Sequence, residues 1–189
     1  MNISPRSQLL IAIALAALMA MTRGQHFATV NLPSASWAVF FLAGALLKPR
    51  WVFPALFVEA SLLDIAAMQW AGVSDWCMSP AYWMLIPAYG AMWLGGRLYA
   101  VMHRHQPSSL LLLAAIASVS AFVCYLFSGG GFLFFSGRYP DPSLGQLVER
   151  IAVYYPRNLT NLALYLGGAS ALYLGLHAAF AARRREVRS

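Results

Sequence analysis

The chain has 189 residues, of which 60% are hydrophobic and only 10% charged, more apolar surface than a soluble domain of this size hides in one core. Its formal net charge of +7 would point to nucleic acid in a soluble protein. Here the basic residues gather in short connections and at the C-terminus, a pattern that reports membrane orientation and excludes a nucleic-acid footprint.

The apolar stretches are near the roughly 20 residues that a helix needs to cross a hydrocarbon core of about 30 Å. They lack the alternation of barrel strands. The expected fold is therefore an all-α integral membrane protein, one transmembrane domain over residues 1–189. Six transmembrane helices are predicted at roughly 8–22, 34–47, 51–70, 81–101, 109–127 and 147–182, the four most plainly apolar being each about 15 to 20 residues long, near one membrane crossing.

The first span reads as a retained helix and not as a secretory signal, because its basic flank is a single Arg6 and no small-residue cleavage site follows. Within LIAIALAALMA, Ala12, Ala16 and Ala20 recur every four residues and share one face, which lets another helix approach closely. Packing inside the bundle and docking of a partner both remain open. The second span is short and joined to the third by Lys48, Pro49 and Arg50, a tight helical hairpin.

The third span carries Glu59 and Asp64 inside apolar sequence, where an unpaired charge is costly and must face protein or water. Five residues apart, they point about 140° away from each other and do not form one paired-carboxylate site. Asp64 lies in the outer half of its span, Tyr82 begins the next helix from the outer side, and Arg150 lies in the outer part of the last. A carboxylate, a phenol and a guanidinium could meet near an outward mouth. The competing reading is a structural ion pair of Asp64 with an arginine, Arg157 being as good a candidate as Arg150.

Between the third and fourth spans, Cys77 stands in SDWCMSPAYW, a connection of the kind in which functional residues concentrate. Its thiolate would be a soft ligand for a transition metal. A disulfide with Cys124 is the structural alternative, although Cys124 sits in an apolar helix and the bond demands close Cα approach. Two cysteines are too few for a disulfide framework and stand at no zinc-ligand spacing.

After the fifth span, Ser128 to Gly131 followed by Phe132 to Phe135 reads as a turn or re-entrant cap, since no strand or basic residue makes it a phosphate loop. The last span is too long for a perpendicular crossing and contains Pro156, so a kink or an outer helical segment is expected. Ser143 with Gln146 three residues on is a capping box that starts it. His26, His103, His105 and His177 are scattered without metal-ligand spacing. The chain has no internal repeat and no Walker motif, hence no nucleotide site of its own.

Loop charge sets the orientation. With both termini cytoplasmic, the inside receives Arg6, Lys48, Arg50, Arg97, Arg104 and the Arg183, Arg184, Arg185, Arg188 tail, while Arg23, Arg138 and the arginines of the last helix's outer part fall outside. Cys77 then faces outward.

With its alanine stripe, its lack of an ATPase motif, and Cys77 in DWCMSP alongside Asp64, Tyr82 and Arg150, the chain resembles the substrate-binding S-components of energy-coupling-factor (ECF) transporters. It is most similar to the BtuM family of solitary cobalamin S-components. The likeness covers nearly the whole chain as architecture, and its specific part is that short set of residues. It implies an S-component-like bundle in the bacterial inner membrane that takes up cobalamin, with Cys77 as a ligand to the cobalt. Asp64, Tyr82 and Arg150 would tune the thiol and orient the corrin. Ala12, Ala16 and Ala20 would be the surface that meets an ECF coupling module in ordinary members, whereas solitary members lack a dedicated module. A thiolate on cobalt opposite cyanide raises the further hypothesis that the protein removes the upper ligand of cyanocobalamin. The alternatives are an S-component for another vitamin, or a small membrane thiol-redox protein using Cys77 and Cys124.

Overall fold

The structure, a computed structural model, describes residues 4–23, 32–71, 78–104, 106 and 108–186, with side chains as far as 175. Helices are the only regular secondary structure among the described residues. They run as α1 (Pro5–Arg23), α2 (Ser36–Leu46), α3 (Val52–Trp70), a 3-10 turn (Pro80–Met84), α4 (Leu85–Met102), α5 (Ser108–Tyr125), a π turn (Leu126–Gly130), α6 (Gly131–Phe135) and α7 (Leu144–Glu186). Helices close every backbone hydrogen bond within themselves, which is what a lipid solvent demands. Among the described residues, α1, α3 and the stretch Ser108–Phe135 are long and apolar enough to cross a membrane. The chain is thus a membrane-type all-α bundle.

The core is built around α2. Ser36, Ala38, Val39, Phe40, Phe41, Ala43 and Gly44 of this helix are all buried. Leu15 and Met19 of α1, Leu56 and Ala60 of α3, Ala88 and Met92 of α4, Ala117, Ala121 and Cys124 of α5, and Leu162 and Leu166 of α7 belong to the same apolar cluster. The ring of Phe40 stacks on that of Tyr89, with centroids 4.4 Å apart and planes at 11°. Helices α2 and α4 approach so closely that a methyl group on Gly44 would collide with the carbonyl of Trp93, and one on Gly96 with the carbonyl of Phe41. Small residues permit this contact between backbones, which apolar side chains alone would hold apart.

Two elements depart from the sequence expectation. At 11 residues, α2 rises only about 16 Å, so it is a central helix with extended flanks and too short to span a bilayer alone. Its C-terminal flank is hydrogen-bonded by side chains: the Lys48 N–H donates to Gln8 Oε1 at 3.2 Å, and Arg97 Nη2 donates to the Lys48 carbonyl at 2.7 Å. The glycine run after α5 does not open into a turn, because it winds as a π turn that carries the helix on into α6. Its small residues are needed by neighbours: a Cβ on Gly129 would sit 2.8 Å from the Tyr125 ring, and one on Gly131 2.8 Å from Met84. The last helix is longer than one crossing, as its sequence predicts: α7 continues through Pro156 for 43 residues, about 64 Å, so much of it lies outside any hydrocarbon core. The capping box at its start forms as expected, with the Ser143 N–H on Gln146 Oε1 and the Gln146 N–H on Ser143 Oγ, both at 3.3 Å.

Candidate functional site: a polar cluster at one end of the bundle

The last residue of α1 organises one end of the bundle. Arg23 Nε donates to Asp64 Oδ1 at 2.7 Å and Nη2 to Oδ2 at 2.6 Å, a two-pronged pair between α1 and α3. Its remaining nitrogen, Nη1, donates to Ser36 Oγ at the start of α2 (3.0 Å) and to Tyr89 Oη on α4 (2.7 Å). The guanidinium also lies 5.8 Å from the centre of the Tyr89 ring. Tyr82 of the 3-10 turn completes the set, its hydroxyl donating to Asp64 Oδ2 at 2.9 Å.

Five elements therefore converge on one ion pair, whose side chains are 15% (Arg23) and 26% (Asp64) exposed. Charge-assisted, two-pronged hydrogen bonds of this kind are the strong ones, and they fix orientation as well as distance. Asp64 is held as a rigid acceptor with one edge toward Tyr82. Chemically, the cluster can present an oriented carboxylate and phenol to a polar ligand arriving from that side.

The structure brings together two of the three residues expected to meet. Asp64 and Tyr82 are in contact, but the arginine on Asp64 is Arg23, which the sequence reading had counted only as an outward loop charge. Arg150 belongs to a separate set at the same end, where its Nη1 donates to Tyr139 Oη at 3.0 Å. Its guanidinium lies 5.3 and 5.2 Å from the ring centres of Tyr139 and Tyr154. Its backbone carbonyl accepts the Tyr125 hydroxyl at 2.9 Å. The Arg150 Nε is buried with no hydrogen-bond partner among the described residues. Arg157 is exposed on α7. Ser36 and Tyr89 are further cluster members that the sequence reading missed; a hydroxyl that follows a helix break and a tyrosine within an apolar helix carry no local mark of such a role.

Cys77 lies outside the described residues, as does Trp76; Met78, the next residue on, is 39% exposed. Cys124 is a free thiol and is 0% exposed. On α1, Ala12, Ala16 and Ala20 are half-buried, and the first two pack against the core, so the stripe is turned at least partly into its own bundle. His103 pairs its Nδ1 with Tyr99 Oη at 2.9 Å, His26 and His105 lie outside the described residues, and the His177 side chain is not described. No group of three metal-ligating side chains occurs among the described residues.

A cavity of about 940 Å³ lies away from this cluster, walled by apolar residues such as Leu15, Phe41, Leu113 and Leu166 and bordered by Arg104 and Ser109. Its lining is mostly apolar but includes Tyr99, His103, Gln106 and Tyr173, and none of Arg23, Asp64 and Tyr82 reaches it. In comparison with known proteins, no protein-family model matches the chain and no curated protein matches it.

Proposed function

We propose that this chain is a multi-pass protein of the bacterial inner membrane that binds cobalamin from the extracytoplasmic side, in the manner of a solitary S-component. In this reading the bundle makes six crossings with both termini cytoplasmic, and the polar cluster faces the periplasm. The Cys77 sulfur is an axial ligand to the substrate's cobalt. Asp64 and Tyr82 flank that thiol and hydrogen-bond the corrin's polar periphery, and Arg150 adds a cationic contact from α7. A carboxylate can take the thiol's proton, and cobalt accepts a soft sulfur donor. Electron donation from sulfur weakens the bond to a cyanide on the opposite face, and cyanide then leaves as the anion with no change in oxidation state.

One observation carries the reading: the Tyr82 hydroxyl on the Asp64 carboxylate at 2.9 Å. These residues sit on the two elements that flank residues 72–77, the segment that holds Cys77, so a carboxylate and a phenol are fixed on both sides of the thiol in sequence. The burial of Cys124 in the core disfavours the alternative of a redox pair with Cys77.

Exchange of a soft, readily ionised sulfur for a hard hydroxyl tests the proposal. Wild type purified from cells grown with cobalamin is expected to show corrin absorbance shifted from that of the free vitamin. Cys77→Ser is expected to fold, to show an unshifted spectrum or none, and to support less cobalamin-dependent growth. Identical spectra and uptake in the two proteins would reject cobalt ligation, and a colourless wild type would redirect the search to another vitamin.

A further inference from the structure

One intramembrane carboxyl takes no part in the polar cluster. Glu59 lies seven residues into the 19-residue α3, near mid-span. It is half-buried along an open apolar groove on the outer side of that helix, and it has no hydrogen bond or ion pair among the described residues. A polar group in that position calls for a partner that lipid cannot supply.

The residues around it follow a rule. Ala55, Glu59, Leu62, Ala66 and Gln69 all line the same groove, at successive spacings of four, three, four and three. That is the heptad spacing of a left-handed helix–helix seam, the commonest crossing among membrane helices. Small residues at Ala55 and Ala66 permit close approach, and Leu62 is 60% exposed as an uncovered knob. Another side of α3, about 120° round the helix, buries Leu56, Ala60 and Ala67 in the chain's own core, so this seam is a second packing face that no other element covers among the described residues.

We infer that the seam is a homodimer interface, in which α3 of a second copy packs in parallel about a two-fold axis along the membrane normal. The choice of a second copy rests on hydrogen-bond complementarity. Such an axis sets each residue opposite its equivalent at the same depth. A protonated carboxyl and a primary amide each donate and accept, so Glu59 meets Glu59 of the partner copy and Gln69 meets Gln69. Both polar positions are satisfied by one symmetric operation. A foreign helix would need matching polar residues at both heights, and an acyl chain offers none. The inference does not depend on what the protein transports.

The test uses the full chain carrying Cys77→Ser, with the fully buried Cys124 retained, reconstituted into phosphatidylcholine and phosphatidylglycerol vesicles at high lipid-to-protein ratio. A Leu62→Cys variant is expected to form an oxidative crosslink at twice the chain's mass. Val101→Cys, on an 85% exposed site of α4, is expected not to. Adding Glu59→Leu should lower the crosslinked fraction about 3- to 20-fold, the range set by one intramembrane hydrogen bond, while Glu59→Gln retains it. Photobleaching of singly labelled chain without the Leu62 change should give two steps, falling to one with Glu59→Leu. Single steps without Glu59→Leu, equal crosslinking at positions 62 and 101, or indifference to Glu59→Leu would overturn the inference. So would a position-62 adduct in native membranes whose mass is not twice the chain's.

Discussion

Arg23 supplies all three donor nitrogens of its guanidinium to four acceptor atoms on three different elements, so its loss strands more than one group. Replacing Arg23 by Gln leaves Asp64 with the Tyr82 hydroxyl and leaves Ser36 and Tyr89 without their donor. We expect a loss of about 2 kcal/mol, below the 3–5 kcal/mol of a fully buried pair because Asp64 is 26% exposed. Asp64→Asn should cost a similar amount, and the double variant less than the two added together, with a coupling of about 1–2 kcal/mol. Thermal unfolding in detergent measures all three, and strictly additive losses would show that the pair contributes no mutual stabilisation. The sequence singles out Asp64 because a carboxylate within apolar residues is anomalous, and it singles out Tyr82 because it begins a span on the same side. It does not mark Arg23, since an arginine closing an apolar helix is also what a topological charge looks like. Which arginine reaches a carboxylate 41 residues away is decided by how α1 packs on α3, and no local spacing encodes that.

At the level of elements, the contact of α2 with α4 is set by backbone proximity more than by side-chain volume. Gly96→Ala places a methyl group against the carbonyl of Phe41, which cannot swing aside as a side chain could. Overpacking of this kind costs about 1–3 kcal/mol, and against backbone the upper end is expected. Gly168→Ala on α7 has open space around it and should be neutral or slightly stabilising, because alanine is the better helix former. Comparison of their melting temperatures checks this, and equal melting would refute the close-approach account. Apolar run length makes most of the helices legible, and the reciprocal hydrogen bonds of Ser143 and Gln146 make the start of α7 legible. The Ser128–Gly131 stretch misleads because glycine reads locally as a breaker, whereas Gly129 and Gly131 are small to admit the Tyr125 ring and Met84. The brevity of α2 is legible at its C-terminal end, where Lys48, Pro49 and Arg50 close the apolar run.

For the whole molecule, the distribution of arginine and lysine argues for both ends inside, and the structure adds that Arg23, Asp64 and Tyr82 gather at one end while Lys48, Arg97 and Gln8 gather at the other. With six crossings, a cysteine introduced at Ser189 should react with a membrane-impermeant maleimide only after the inner membrane is opened from the cytoplasmic side. Labelling from the periplasm in intact spheroplasts would refute the orientation. The brevity of α2 also has a consequence for the apolar depth of the bundle. Its N-terminal end touches the guanidinium of Arg23 through Ser36, and its C-terminal flank is clasped by Arg97 and Gln8. Along the centre of the bundle these two polar layers stand about 16 Å apart, roughly half the thickness of a hydrocarbon core. The wholly apolar layer along α2 is therefore about half as deep as a hydrocarbon core, and no point within it is more than about 8 Å from a polar group.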